Sequence, residues 1–177
     1  MKNIGCFLLF SFLLMQSAAF AGDVTLFGGV QHPGNISLRS AAQGAVSIPF
    51  DPKSFGVFGV RVGIGRKIFG NETTFAYNPN FIDSTSKALI LANNLVVQVP
   101  TPAVRPYATA GLGVVWTKGS GLSDIGSKFA VNYGGGLKVA LPGPFGLRFD
   151  ARGYTLPSVQ SQTLNIIEVS FGVVIGF

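Results

Sequence analysis

Phe129-Ala130-Val131-Asn132-Tyr133-Gly134-Gly135-Gly136-Leu137-Lys138-Val139-Ala140-Leu141 alternates with a period of two. One parity runs Phe, Val, Tyr, Gly, Leu, Val, Leu, and the other runs Ala, Asn, Gly, Gly, Lys, Ala. Successive side chains of a β-strand point to opposite faces, so this stretch makes a strand with one greasy face and one small or polar face. The C-terminal stretch repeats the pattern. Ile167, Val169, Phe171, Val173, Ile175 and Phe177 share one parity, and Glu168, Ser170, Gly172, Val174 and Gly176 share the other. In a soluble sandwich the polar face meets water and is rich in Lys, Glu and Thr. Here it is mostly Gly and Ala with isolated charges, which suits a crowded interior and leaves the greasy face to look outward at lipid. A sheet crosses a membrane only when closed, because an open edge leaves unpaired backbone groups in hydrocarbon. The sequence therefore predicts a closed transmembrane barrel.

Composition agrees. The 177 residues are 47% hydrophobic and only 11% charged, against an ordinary charged share of about 25%. So few charges cannot solvate the surface of a globular domain, and 16 Phe with 4 Tyr exclude a disordered chain. Residues 1–21 are expected to be a cleaved secretory signal: Lys2 is the positive start, Ile4 to Met15 is apolar, and Ala19-Phe20-Ala21 is a small-x-small cleavage site. Cys6 lies inside that segment, so the exported chain, residues 22–177, has no disulfide and no thiol chemistry to use. No apolar run after Ala21 approaches the length of a membrane-spanning helix. The formal net charge is +6, but the basic residues are scattered, and no nucleic-acid partner is expected.

The pattern divides residues 22–177 into eight strand candidates, at about 23–31, 54–66, 70–77, 87–99, 103–117, 127–141, 145–154 and 163–177. The fold class expected is all-β, an eight-stranded antiparallel up-and-down transmembrane barrel. Connectors 32–53, 78–86, 118–126 and 155–162 are long and polar or Pro/Gly-rich, whereas those at Lys67-Ile68-Phe69, Pro100-Thr101-Pro102 and Pro142-Gly143-Pro144 are short. Long outer loops, tight periplasmic turns and periplasmic termini are the outer-membrane arrangement. Asn93 falls on the lipid parity of Leu95, Val97 and Val99, which predicts a bulge or a late start in the fourth strand. Tyr77, Trp116 and Tyr154 end strands before long loops and are expected at the outer interface.

With these segments in hand the chain resembles the small outer-membrane β-barrel domains, the broad family of the eight-stranded OmpA, OmpX and Ail-like barrels. The resemblance is carried by Asn94-Leu95-Val96-Val97-Gln98-Val99-Pro100, Arg105-Pro106-Tyr107-Ala108-Thr109-Ala110-Gly111-Leu112-Gly113, Asn132-Tyr133-Gly134-Gly135-Gly136-Leu137-Lys138 and Gly146-Leu147-Arg148-Phe149-Asp150-Ala151-Arg152. It covers essentially all of 22–177. OmpA carries a peptidoglycan-binding domain after its barrel, and this chain ends with the last barrel residue, so that role is not expected here. Phe177, with Ile175, Val173 and Phe171 at alternate positions before it, resembles the C-terminal signal that barrel-assembly machinery reads during insertion.

Charges on the inward parity are the main candidate site: Arg61, Glu72, Arg105, Lys138, Arg148, Asp150, Arg152 and Glu168. An eight-stranded barrel is only wide enough for side chains to fill it, so such charges must pair or meet trapped water. They predict an internal salt-bridge network plugging the lumen; a narrow ion path is the alternative. His32 is the sole histidine. Lipid A deacylases built on barrels use a neighbouring His and Ser, and Ser37 and Ser40 follow closely in sequence, yet His32-Pro33-Gly34 has the form of a turn and no carboxylate follows before Asp51. Neither catalysis nor a metal or haem site is expected. Gly63-Ile64-Gly65 and Gly134-Gly135-Gly136 lack the following helix of a phosphate loop and are expected to ease packing inside strands.

The function expected is therefore that of a monomeric outer-membrane protein of a Gram-negative-type cell envelope, without cofactor or enzymatic activity, acting structurally or through ligands of its extracellular loops. Its surroundings would be outer-membrane lipid and lipopolysaccharide. The alternatives are a small-solute or ion pore and a lipid A-modifying enzyme.

Overall fold

The computed structural model describes residues 21–34, 36–39, 47–50, 53–81, 86–119, 126–159 and 162–176. Residues 1–20 of the expected signal segment and Phe177 lie outside them, whereas Ala21, the last residue of that segment, opens the first strand. Ten strands follow in order: β1 (Ala21–Pro33), β2 (Ile36–Arg39), β3 (Ser47–Phe50), β4 (Phe55–Arg66), β5 (Phe69–Asn78), β6 (Lys87–Gln98), β7 (Val104–Lys118), β8 (Ser127–Ala140), β9 (Phe145–Val159) and β10 (Gln162–Gly176). Eight of them close into an antiparallel ring in the order β1-β10-β9-β8-β7-β6-β5-β4, and β2 pairs with β3 as a separate hairpin between β1 and β4. Closure leaves no edge strand, as a sheet in hydrocarbon requires. Among the described residues no helix is long and apolar enough to cross a membrane.

Alternation sets the two faces of the wall. Along β10, Ile167 and Val169 are each 62% exposed on the outside, while Glu168 between them is fully buried. Leu26, Phe58, Phe75, Leu95, Leu112, Phe129, Phe149 and Phe171 continue the apolar outer belt round the ring. Rings pair within it, Phe149 against Phe171 at 5.0 Å and Phe58 against Tyr77 at 5.4 Å. In lipid each such side chain gains about the 1.5–3 kcal/mol that core burial gives a soluble protein.

Several sequence expectations are corrected. The connector expected at 155–162 is mostly strand: β9 runs to Val159, β10 starts at Gln162, and Thr155 pairs with Asn165. Thr155 and Thr163 favour extended backbone, and a register shift between Gln162 and Leu164 absorbs the irregularity. His32-Pro33-Gly34 is no turn, because β1 continues through Pro33 opposite Ile166 and Gly34 N–H donates to Asn165 O at 2.7 Å. The fourth barrel strand, β6, has no bulge at Asn93. Its pairing with β5 is regular from Lys87's neighbour Ala88 to Val97, and Asn93 exchanges two amide hydrogen bonds with Asn71, at 2.8 and 3.0 Å, and donates to Thr73 Oγ1 at 3.1 Å. Three polar side chains on the lipid-facing wall thus satisfy one another. Trp116, expected at the outer interface, is 39% exposed on the outward face of β7, but Tyr154 points inward and is buried.

Glycine opens room inside the wall. A Cβ on Gly136 would fall 2.0 Å from Phe149 O and 2.6 Å from the Tyr107 hydroxyl, and one on Gly134 would meet Ala151 O at 2.3 Å and the Arg152 side chain at 3.1 Å. The triple glycine of β8 is the space that Tyr107 and Arg152 occupy.

Candidate functional site

Six of the eight inward charges converge at mid-barrel. Arg61 on β4 donates from Nη1 to Asp150 Oδ2 at 2.8 Å and from Nη2 to Glu168 Oε1 at 2.6 Å. Its guanidinium lies 3.6 Å from the centre of the Phe27 ring, a cation–π contact made inside a desolvated lumen. Arg148 on β9 donates from Nη1 to Glu72 Oε2 at 2.5 Å, across the barrel on β5, and from Nε to Asp150 Oδ2 at 2.9 Å. Arg152 shares both acids, with Nη2 donating to Glu72 Oε1 at 2.7 Å and to Asp150 Oδ1 at 3.0 Å. Three guanidiniums therefore face three carboxylates, and none of the six residues is more than 3% exposed.

The remaining lone pairs find neutral donors. Tyr107 on β7 donates its hydroxyl to Asp150 Oδ1. Gln31 Nε2 donates to Glu168 Oε2 at 2.7 Å, and Asn78 Nδ2 donates to Gln31 Oε1 at 3.0 Å. Such partners are what a buried carboxylate needs, because its desolvation costs several kcal/mol unless they offset it. The alternation that turns greasy residues outward turns all six charges inward, and the register of the strands brings them to one level.

The other two predicted charges lie nearer the short turns. Lys138 pairs with Asp23 at 2.5 Å, both partly exposed. Arg105 has the inward parity but is exposed at the barrel mouth, where Nε donates to Thr101 O at 3.2 Å, and among the described residues it joins no ion pair. Its position at the start of β7, beside the Pro100–Pro102 turn, puts it where water can solvate the guanidinium. Asp23 is the acid that sequence reading omits. The signal was present in the alternation of Asp23, Thr25 and Phe27 against Val24 and Leu26, but an inward Phe27 blurred the contrast.

Three layers follow along the barrel axis. At the short-turn end an open cavity of about 640 Å³ is lined by Asp23, Glu72, Gln98, Arg105 and Lys138 among others. Glu72 of the ionic layer is part of that lining. Beyond the ionic layer, toward the long loops, Phe55, Phe81, Ile90, Val115, Leu156 and Leu164 pack as an apolar cluster, with Phe55 and Phe81 edge to face at 5.2 Å. Sequence reading does not reveal this cluster, since at the loop ends of the strands both parities are apolar.

His32 lies exposed at the long-loop rim, its Nδ1 3.1 Å from the Ser54 hydroxyl. Ser40 lies outside the described residues, and so does the side chain of Ser37. Among the described residues no group of three His, Cys, Asp or Glu side chains could hold a metal ion.

The outward residues expected to guide assembly, Phe171, Val173 and Ile175, are all exposed on the lipid-facing side of β10.

Comparison with known proteins sets this geometry in a group. The chain is similar in fold to Neisserial surface protein A, NspA, at 14% identity over 89% of this chain and 99% of that one, with a TM-score of 0.69. It is similar to the N-terminal β-barrel domain of OprF from Pseudomonas aeruginosa, at 14% identity over 89% of this chain and 97% of that one, TM-score 0.59. Ail of Yersinia pestis, solved in complex with the heparin analogue sucrose octasulfate, matches at 14% identity over 90% of this chain and 100% of that one, TM-score 0.51. No curated protein matches the sequence. At such identities the likeness concerns the fold, but the family model of the outer membrane protein beta-barrel domain matches residues 6–177. The chain belongs to that family, and its place is the cell outer membrane.

Proposed function

We propose that this chain is a plugged barrel whose work is done at the cell surface by the loops at its long-loop end, and not by conduction through the lumen. The observation that carries the reading is the ionic layer. Three buried guanidiniums and three buried carboxylates bridge β4 and β5 to β9 and β10, and the apolar cluster of Phe81, Leu156 and Leu164 lies beyond it. An ion entering from the cavity would have to displace charge-assisted hydrogen bonds and then cross packed hydrocarbon. A rigid barrel instead holds its loops at fixed positions, where binding residues concentrate. Ail, a barrel of the same fold, holds a sulfated sugar analogue, which supports an external ligand for the loops. The barrel acts as a monomer, inserted by barrel-assembly machinery that reads Phe171, Val173, Ile175 and Phe177, which share one parity of the sequence. The test is planar-bilayer conductance: purified protein should give no discrete openings, and stable openings would refute the plug.

A second reading has one observation in its favour, the His32–Ser54 contact at the outer rim. A base beside a hydroxyl at the membrane surface is the start of a nucleophilic site for a lipid ester. Among the described residues, however, no carboxylate hydrogen-bonds to the His32 ring to orient it. Mass spectrometry of lipid A from cells with and without the gene decides. An enzyme would change the acyl pattern, and His32→Ala would abolish that change; the plugged-barrel reading expects identical lipid A.

A further inference from the structure

Lys87 opens β6 and Lys118 closes β7, and the ladder sets the two directly opposite each other. Residues so opposed hold their Cβ atoms about 4.5–5.5 Å apart, and like charges there destabilise the pair. Both lysines are exposed, and among the described residues neither makes an ion pair. Both have the outward parity. The next outward pair along the same ladder is Leu89 opposite Trp116, also exposed. The lipid-facing wall thus ends here in an apolar step topped by two cations. Tryptophan settles at the boundary between hydrocarbon and water, which puts Lys87 and Lys118 at the height of lipid head groups.

We propose that Lys87 and Lys118 clamp the phosphate of an anionic lipid head group, with the acyl chains of that lipid lying against Leu89 and Trp116. The assignment to the outer leaflet rests on the reading that the long loops face the cell exterior. A phosphate monoester carries about −1.5 to −2 charges near neutral pH. It therefore neutralises both ammonium groups at once and removes the cross-strand repulsion. A zwitterionic head group, with its own cation, does not.

Trp116 is the single tryptophan of the chain, so its fluorescence reports on this site alone. The folded protein is placed in phosphatidylcholine vesicles doped with brominated phosphatidic acid, and quenching is compared with that by brominated phosphatidylcholine. Phosphatidic acid should be preferred about tenfold beside Trp116. The preference should fall to near one in K87Q/K118Q and persist in K53Q/K67Q, which removes two exposed charges elsewhere. Heat-dependent gel mobility verifies that each variant is folded. An undiminished preference in K87Q/K118Q, or an equal loss in K53Q/K67Q, would overturn the site. Inorganic phosphate at matched ionic strength should leave the preference unchanged; displacement would assign the lysines to a free anion and overturn the lipid. Orientation is tested apart from this, by protease cleavage of a site inserted between residues 120 and 125 in intact cells. No cleavage there would overturn the outer-leaflet assignment while leaving the vesicle result standing.

Discussion

Arg61 and Glu168 are separated by 107 residues of chain, yet the Arg61 Nη2 and Glu168 Oε1 atoms meet at 2.6 Å with both side chains fully buried. Closure of the ring makes the contact, because β4 and β10 flank β1 from its two sides. The same Arg61 guanidinium holds Asp150. Replacing Arg61 by Met therefore leaves two carboxylates undercompensated in the lumen, and breaking a buried pair in this way costs about 3–5 kcal/mol. Urea unfolding in detergent should show that loss. Glu168→Gln combined with Arg61→Met should recover part of it, through a coupling of about 0.5–3 kcal/mol.

Arg105 supplies the contrast. It is exposed and, among the described residues, its side chain bonds a turn carbonyl and no acid, so Arg105→Gln should change stability by no more than about 0.5 kcal/mol. Arg148→Gln should cost as much as the Arg61 change, since it strips Glu72 and Asp150 together. Equal effects of the two substitutions in the same urea titration would show that the ionic layer has no special energetic role.

Asn93→Leu should destabilise the barrel although it makes the lipid-facing wall more apolar. The substitution leaves Asn71 without its reciprocal amide partner, at a cost of about 1–3 kcal/mol for an unsatisfied polar group. Asn71→Leu/Asn93→Leu removes both members and should be closer to the parent than either single variant. A double variant as unstable as the sum of the singles would mean that the amides do not act as a pair.

Gly136→Ala should be costly for its size. The new methyl would fall 2.0 Å from Phe149 O, so either the β8–β9 pairing or the Tyr107 ring must shift, at about 1–3 kcal/mol for overpacking. Gly143→Ala, by contrast, meets no atom within 4 Å, and its strain comes only from the positive φ of 80° in the turn. Thermal loss of the heat-modifiable gel band should order the variants with Gly136→Ala lowest.

Phe177→Asp should reduce the amount of protein reaching the outer membrane, through loss of the aromatic that continues the sequence parity of Phe171, Val173 and Ile175. Quantitative blotting of membrane fractions measures it. Normal levels would remove the C-terminal residue from any role in assembly.

The sequence by itself determined that the chain is a barrel, which strands form it, and which face of most strands meets lipid. Each of these is a local property: a period of two, a turn signal, or a parity that holds over six or more residues. Sequence also marked Arg61, Glu72, Arg148, Asp150, Arg152 and Glu168 as inward, because parity fixes a face. Only the tertiary structure decided which of them meet. Height along the axis depends on strand register and stagger round the whole ring, and that placed Arg105 in water and brought Asp23 to Lys138. The same cause hid the Asn71–Asn93 pair, which is assembled from two strands, while the apolar cluster around Phe81 was hidden because both parities are apolar at the loop ends of the strands. Register also set Lys87 opposite Lys118. Two lysines 31 residues apart look scattered along the chain, and become one site only when the ladder between β6 and β7 fixes their register.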